Sequence, residues 1–109
     1  MVDIHEVKEY INQNLRTVHR LDDVASHFKV SPETLRKQFR RKERISFSNY
    51  VTKTRVEEMK QRLANSNEYC FEICFDVGFG REDSAAKTFK RLTGVSMEQY
   101  RTLNSNGRE

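Results

Sequence analysis

Apolar residues return every three or four positions along most of this chain, which is the spacing of an amphipathic helix. There is no alternating run of valine or threonine, and the chain has one proline and four glycines. The pattern therefore predicts an all-α fold with about seven helices. The predicted helices cover residues 4–11, 21–28, 47–64, 70–77 and about 82–92, with a third helix that begins at Ser31-Pro32 and a last short helix after Ser96.

Residues that cap helices mark several of the predicted ends. Ser31 can accept hydrogen bonds from the free backbone N–H groups of the third helix, and Pro32 at its first position gives up no needed donor. Gly94 closes the sixth helix. Ser96 and Gln99 have the spacing of a capping box at the start of the last helix. The fourth helix is the longest, about 18 residues or roughly 27 Å.

The chain contains an internal repeat. At an offset of fifty residues the matching positions are Lys37 and Lys87, Phe39-Arg40-Arg41 and Phe89-Lys90-Arg91, Ile45-Ser46 and Val95-Ser96, and Tyr50 and Tyr100. Upstream the offset is forty-nine, which pairs Ala25 with Cys74 and Val30 with Phe79. Each copy is a short helix, a tight turn and a basic helix, so the repeat predicts two helix-turn-helix units.

Each copy has the residues that such a unit needs. A small residue, Ala25 or Cys74, lets the two helices cross closely. An apolar residue after the turn, Val30 or Phe79, fixes the crossing angle. The second helix then presents its outer face, N-terminal residues first, to the major groove of DNA, where every base pair shows a distinct pattern of donors and acceptors.

This geometry predicts which side chains contact DNA. The predicted base-reading residues are Glu33, Thr34, Arg36 and Lys37 in the first copy and Glu82, Asp83, Ser84 and Lys87 in the second. The predicted contacts to the DNA backbone are Ser31, Arg40, Arg41, Arg81 and Lys90. The two acids at 82 and 83 leave alternatives open, because they can accept from cytosine N4, hold Arg81 or Lys87 in place, or be surface residues.

Charge alternates along the chain. The net charge is +4 and the pI about 9.2, and the successive segments 1–28, 29–62, 63–79 and 80–101 carry −2, +7, −3 and +2. Seven basic residues lie between Lys29 and Arg44. Two separate basic zones predict two contacts with one polyanion, and the first copy is expected to be the stronger anchor.

Composition narrows the function classes. The 109 residues are enough for one domain of ordinary size, with 36% apolar residues for a small core. No run is long enough to span a membrane and no signal segment precedes the first helix, so a cytoplasmic protein is expected. Cys70 and Cys74 are expected to be reduced core residues. No catalytic site, metal site or cofactor is predicted, and the chain is not expected to be an enzyme.

Several motifs in the two copies point to one family. They are Leu21-Asp22-Asp23-Val24-Ala25, Val30-Ser31-Pro32, Leu35, Phe39, Arg55-Val56-Glu57, Glu72-Ile73-Cys74-Phe75-Asp76-Val77-Gly78-Phe79, Phe89-Lys90-Arg91, Thr93-Gly94-Val95-Ser96 and Tyr100-Arg101. Over about residues 4–101 they resemble the AraC/XylS-type DNA-binding domain of bacterial transcription regulators. The resemblance implies two recognition helices in successive major grooves. It also implies a larger parent protein with an N-terminal sensing or dimerising part, and most often an activator.

Some positions depart from the family pattern. Arg44 stands where glycine is usual, so the third helix is expected to end differently, and Arg20 stands where a capping Ser or Thr is usual. Ala85 replaces a large aromatic residue, which leaves the sixth helix less well anchored or its neighbours repacked. Met59 replaces an alanine and is expected to fill some of that space. One of Phe71 and Phe75 is expected to be exposed, as a contact for RNA polymerase or a missing domain.

These observations predict the sequence-specific DNA-binding domain of a transcription regulator, with double-stranded promoter DNA as its partner. Residues 1–46 form the predicted first helix-turn-helix unit, 47–64 the linker helix, 65–103 the second unit and 104–109 a frayed tail. The alternative, prompted by the acids at the start of the sixth helix, is a protein-interaction domain with weak or one-sided DNA binding.

Overall fold

The computed structural model describes residues 2–18 and 20–104. This part of the chain contains seven α-helices and no strand, which confirms the predicted all-α fold. The helices are α1 (Ile4–Gln13), α2 (Leu21–His27), α3 (Pro32–Glu43), α4 (Phe47–Asn65), α5 (Cys70–Asp76), α6 (Glu82–Thr93) and α7 (Met97–Asn104). Of the predicted frayed tail, Asn104 ends α7, and residues 105–109 lie outside the described residues.

The helix ends follow the local rules of capping. The Ser31 hydroxyl accepts from the Thr34 backbone N–H at 3.1 Å. Ser96 and Gln99 form the predicted reciprocal box, in which each backbone N–H donates to the other side chain at 3.0 and 3.1 Å. Arg20 makes no side-chain cap at the start of α2. These contacts satisfy backbone donors that the first turn of a helix leaves open.

The chain folds as two compact units, Met1–Thr52 and Lys53–Glu109. The core of the first unit is built around two aromatic contacts. The Phe39 ring meets the rings of Phe47 and Tyr50 edge-on, with centroids 5.7 and 5.3 Å apart. The buried apolar residues around them come from α1, the connection that follows it, α2, α3 and the beginning of α4: Ile4, Val7, Ile11, Val18, Val24, Ala25, Leu35 and Val51.

The second unit has a core of the same kind. The Phe89 ring meets Tyr100 edge-on at 5.6 Å, and the Cys74 Sγ lies 3.6 Å from the Met97 Sδ. The rest of the core is Val56, Met59, Leu63, Ile73, Val77 and Ala85. Ala85 and Met59 are both fully buried in this core.

Hydrogen bonds around Arg62 hold the end of α4 to α5 in the second unit. The Arg62 guanidinium donates to the carboxylates of Glu68 and Asp76, and the Ser66 hydroxyl also donates to Glu68 at 2.9 Å. These bonds raise the pKa of Arg62 above its usual value and lower the pKa of Glu68. The loop between the two helices is therefore tied down by charge-assisted hydrogen bonds.

The structure repeats as the sequence does. Residues 39–50 and 89–100 have the same order of buried, half-buried and exposed positions throughout. In the turn before each basic helix, the Val30 N–H donates to the Ala25 carbonyl and the Phe79 N–H to the Cys74 carbonyl, both at 3.0 Å. Both turns are therefore the same helix-ending motif, and both units are helix-turn-helix units.

Arg44 does not change the end of its helix. Its φ of 67° is left-handed, and its N–H donates to the Arg40 carbonyl at 2.8 Å. Gly94 ends α6 with a φ of 87° and an equivalent 2.8 Å bond to Lys90. The expectation that the third helix ends differently was wrong, because the backbone keeps the left-handed conformation even with a side chain that disfavours it.

Candidate nucleic-acid interface

The outer face of α3 is strongly basic. Leu35 and Phe39 are fully buried, so the opposite side of this helix faces solvent. The exposed cations follow at helical spacing: Arg36, Lys37, Arg40 and Arg41. An α-helix with one apolar face in a core and one cationic face in solvent can lie in the major groove against phosphates and base edges.

The first turn of α3 is ordered by its own side chains. The Ser31 hydroxyl donates to the Thr34 Oγ1 at 2.8 Å, in addition to capping its N–H. Thr34 is half-buried, and its hydroxyl oxygen already accepts this bond. The Glu33 carboxylate accepts from Arg36 at 3.2 Å, and both side chains are more than half exposed. The four predicted base-reading residues of the first unit thus lie together, with Thr34 the least accessible.

The remaining cations of α3 are available for a partner. Within residues 2–18 and 20–104, no ion pair involves Lys37, Arg40 or Arg41. Glu43 at the end of the helix is paired with Lys8 at 3.1 Å, which takes one negative charge away from the outer face. The face therefore presents uncompensated positive charge, as binding to a polyanion requires.

The start of α6 is arranged differently. Arg81 stands where the first unit has its capping serine, and it makes no side-chain cap. Its guanidinium instead donates twice to the Asp83 carboxylate, both bonds 3.1 Å, and the same carboxylate accepts from the Ser84 N–H at 2.9 Å. One of the alternatives that the sequence left open, an acid that holds Arg81 in place, is thus present in the structure for Asp83.

Three of the other predicted residues of the second unit line an open groove. They are Glu82, Lys87 and Lys90, and Tyr69 and Phe71 line the same groove. Glu82, Ser84, Lys87 and Lys90 are all exposed. The outer face of α6 is therefore accessible, but α6 carries fewer cations than α3 and has two acids in its first turn where α3 has one.

The structure also exposes basic residues that the sequence reasoning did not select. Lys29 lies in the turn before α3, Lys42 in its last turn, and Arg44 at its end. The sequence did contain a signal for them, because seven basic residues lie between Lys29 and Arg44 and only four of the seven were among the predicted DNA contacts.

Aromatic side chains on the second unit are unusually exposed. Tyr69, Phe71 and Phe75 are 69%, 56% and 54% exposed, and the rings of Tyr69 and Phe71 are stacked with centroids 5.7 Å apart. One of the two phenylalanines was expected to be exposed, and in the structure both are. The equivalent positions of the first unit carry Arg20, Asp22 and Ser26, so the fold itself does not require aromatic residues there.

Neither cysteine is set up as a reactive group. Cys74 is buried, which raises the pKa of its thiol to about 11, and burial also raises the pKa of Cys70. Within the described ranges no three His, Cys, Asp or Glu side chains come together as a metal site. None of the described helices is long and apolar enough to cross a membrane.

Comparison with known proteins identifies relatives of this chain. A family model described as a helix-turn-helix domain matches residues 24–103. The uncharacterized HTH-type transcriptional regulator YdiP of Escherichia coli K12 is 34% identical over 103 residues, which are 94% of this chain and 34% of YdiP. The multiple antibiotic resistance protein MarA of Salmonella typhimurium is 26% identical over 106 residues, covering 97% of this chain and 84% of MarA. The chain thus spans about a third of the length of YdiP.

Solved structures share the fold. The C-terminal domain of AraT, a response regulator from Geobacillus stearothermophilus, superposes with a TM-score of 0.90 at 27% identity, covering 97% of this chain and 90% of that one. The DNA-binding domain of AdpA, solved in complex with a target DNA, gives a TM-score of 0.86 at 21% identity, with 92% and 90% covered. With the match over residues 24–103, these findings confirm the resemblance and show that the chain belongs to the AraC-type helix-turn-helix family, the DNA-binding domains of transcription regulators.

Proposed function

We propose that this domain binds double-stranded promoter DNA sequence-specifically, with the outer face of α3 as its main contact and α6 as a second, weaker one. The observation that carries the proposal is the face of α3, where four exposed cations lie opposite two fully buried core residues. In this proposal Arg36 and Lys37, near the start of the helix, read base edges. Arg40 and Arg41, one turn further on, contact phosphates.

Charge supports the unequal roles of the two units. In α6 the cations among the predicted contacts are Lys87 and Lys90, while Arg81 is held by Asp83. An acid near phosphates costs binding energy unless it accepts from a base. We therefore assign α6 the smaller part of the affinity, and a share of the specificity through Lys87.

A binding titration over a range of salt concentrations tests the proposal. A duplex selected from random DNA and a scrambled duplex of equal length would be titrated by fluorescence anisotropy. If roughly eight phosphates are contacted, the slope of log K against log salt is near −7. A slope near zero on both duplexes would rule out DNA binding as the function.

Two arginines on the same helix separate base reading from phosphate contact. Arg36→Ala is expected to weaken binding to the selected duplex by about tenfold or more, with much less effect on the scrambled one. Arg40→Ala removes the same charge one turn away and is expected to weaken both duplexes equally. If Arg36→Ala weakens binding to the selected and the scrambled duplex equally, Arg36 contacts phosphate only.

The second candidate function is that of a protein-interaction domain, favoured by the acids at the start of α6 and by the exposed aromatic residues of the second unit. On this hypothesis the chain binds a promoter fragment weakly and with little salt dependence. The titration above therefore decides between the two functions.

The role of the domain in a longer regulator is part of the proposal. A parent protein with an N-terminal sensing or dimerising domain agrees with the third of YdiP that this chain spans. We propose that the regulator activates transcription and that the exposed Phe71 or Phe75 meets RNA polymerase or that domain. We also propose that it works in the cytoplasm and has no enzymatic activity.

A reporter gene behind the selected site should be induced, and Phe71→Ser and Phe75→Ser should reduce induction without reducing DNA affinity.

A further inference from the structure

Two residues next to α3 hold a backbone conformation that their side chains disfavour. Lys29 in the turn before the helix has a φ of 58°, and Arg44 at its end has a φ of 67°. Among residues 2–18 and 20–104 they are the only non-glycine residues with positive φ. The second unit has glycine at both equivalent positions, Gly78 with a φ of 108° and Gly94 with a φ of 87°.

The fold requires the conformation but not the side chains. The Lys29 N–H donates to the Ser26 carbonyl at 3.2 Å, and the equivalent Gly78 N–H donates to Phe75 at 3.1 Å. At the other end of each basic helix, the N–H groups of Arg44 and Gly94 both donate at 2.8 Å to the carbonyl four residues earlier. Glycine adopts this conformation freely, and asparagine or aspartate adopts it more readily than lysine or arginine. For stability alone, both positions of the first unit carry unfavourable residues.

What the two residues share is exposed positive charge. Both are exposed, and no ion pair within the described residues involves either of them. The segment 29–44 has seven basic residues, whereas the equivalent segment 78–94 has four. Lys29 and Arg44 are two of the four cations that have no basic counterpart in the second unit. A large part of the charge asymmetry therefore lies at the strained positions.

Their placement suits the two strands of a duplex. They flank a helix of 12 residues, about 18 Å long. The major groove is about 12 Å wide, so a helix of this length reaches from one bordering phosphate backbone toward the other. A cation at each end of α3 is thus suited to meet phosphate where the helix leaves the groove.

We propose that Lys29 and Arg44 are phosphate contacts at the two ends of α3, and that the first unit holds them in left-handed conformations at the expense of stability. Backbone strain that persists at a functional site is a recognised pattern, because function there opposes stability. The inference rests on the proposed DNA binding and adds two contact residues to it.

The test uses glycine substitutions that act on stability and binding in opposite directions. Lys29→Gly and Arg44→Gly are each expected to raise the melting temperature by about 2–5 °C, because the strain is released. Each is also expected to weaken binding to both the selected and the scrambled duplex about fivefold to tenfold at 0.1 M salt, and to reduce the salt slope by about one. Lys29→Asn, which removes the charge but tolerates the conformation, should show the same loss of binding.

Two controls isolate the causes. Gly94→Arg places a side chain where nothing lies within 4 Å of the added Cβ, so any fall in its melting temperature comes from the backbone conformation alone. A fall is expected. Lys60→Gln removes one charge from a side chain paired with Glu57 and is expected to leave the salt slope unchanged.

The outcomes are separable from failure of the proposed function. If Arg36→Ala loses binding while both glycine variants keep the affinity and salt slope of the unaltered protein, Lys29 and Arg44 are not phosphate contacts. If the glycine variants melt at lower temperature, or Gly94→Arg does not, the strain argument is wrong. An equal loss of slope in Lys60→Gln would assign the effect to net charge. A domain with no salt-dependent binding at all would overturn both proposals.

Discussion

Removing the acid that holds Arg81 is expected to strengthen general DNA binding by the second unit. Asp83 accepts two hydrogen bonds from the Arg81 guanidinium, and the two side chains are 58% and 76% exposed. The variant Asp83→Asn keeps the size of the side chain and an acceptor for the Ser84 N–H, but it removes the charge that competes with phosphate for Arg81.

The effects on stability and on DNA affinity can both be sized from the exposure and charge of this pair. A pair this exposed contributes at most about 1 kcal/mol, so the stability of the fold should hardly change. The released arginine adds about one phosphate contact, which makes the salt slope more negative by about 0.9 and raises affinity for any duplex roughly eightfold at 0.1 M salt. The rise should be the same for a selected and a scrambled duplex, because phosphate contacts carry no sequence information.

Fluorescence anisotropy on both duplexes at four or more salt concentrations measures this effect. Glu33→Gln is the matched control, because Glu33 accepts only one bond from Arg36, at 3.2 Å, and its removal should raise affinity less. The reasoning is refuted if Asp83→Asn lowers affinity for the selected duplex fivefold or more and leaves the scrambled one unchanged. That result would mean that Asp83 accepts from a base.

Three further predictions concern the second unit. Arg62→Met should lower the free energy of unfolding in urea by about 1–2 kcal/mol at pH 7. The pKa of Glu68 is lowered in the fold, so its contribution to the free energy of unfolding is fully present above the unfolded pKa of about 4.3. The difference in that free energy between Arg62→Met and the unaltered protein should therefore shrink as the pH falls below the unfolded pKa. A constant difference down to pH 3 would contradict this. With its pKa near 11, Cys74 should resist iodoacetamide at pH 8 in the folded protein while the half-buried Cys70 reacts first, as seen by mass spectrometry. Ser96→Ala should cost about 1 kcal/mol in thermal unfolding, and an unchanged melting temperature would show that this cap does not stabilise α7.

Much of the fold followed from local rules in the sequence. The capping box of Ser96 and Gln99 and the cap at Ser31 form as their spacing predicts, because they depend on residues three positions apart. The repeat predicted two helix-turn-helix units, and the edge-on pair of Phe39 and Tyr50 in the first is matched by Phe89 and Tyr100 in the second. Capping contacts of this kind depend only on residues within one or two helical turns of each other.

Other features depend on backbone conformation, rotamers and packing, which the identity of a residue alone does not reveal. Arg44 by itself gave no sign of a left-handed backbone, since arginine disfavours it; the indications were the glycine usual at this position in the family and the glycine fifty positions later. The pairing of Arg81 with Asp83 depends on rotamers, so the sequence left it among several alternatives. Phe71 and Phe75 share a helix face by their spacing, but which side that face takes is decided by packing, and both are exposed.

The matching burial of residues 39–50 and 89–100 has a consequence for how such a regulator evolves. It is the mark of a duplicated unit whose interior has been kept while its exterior has diverged. With the first unit as the main DNA contact, as proposed above, the second unit can accept acids such as Asp83 while DNA binding is preserved. New target sites then become reachable through substitutions on one outer face, without any change to a core residue.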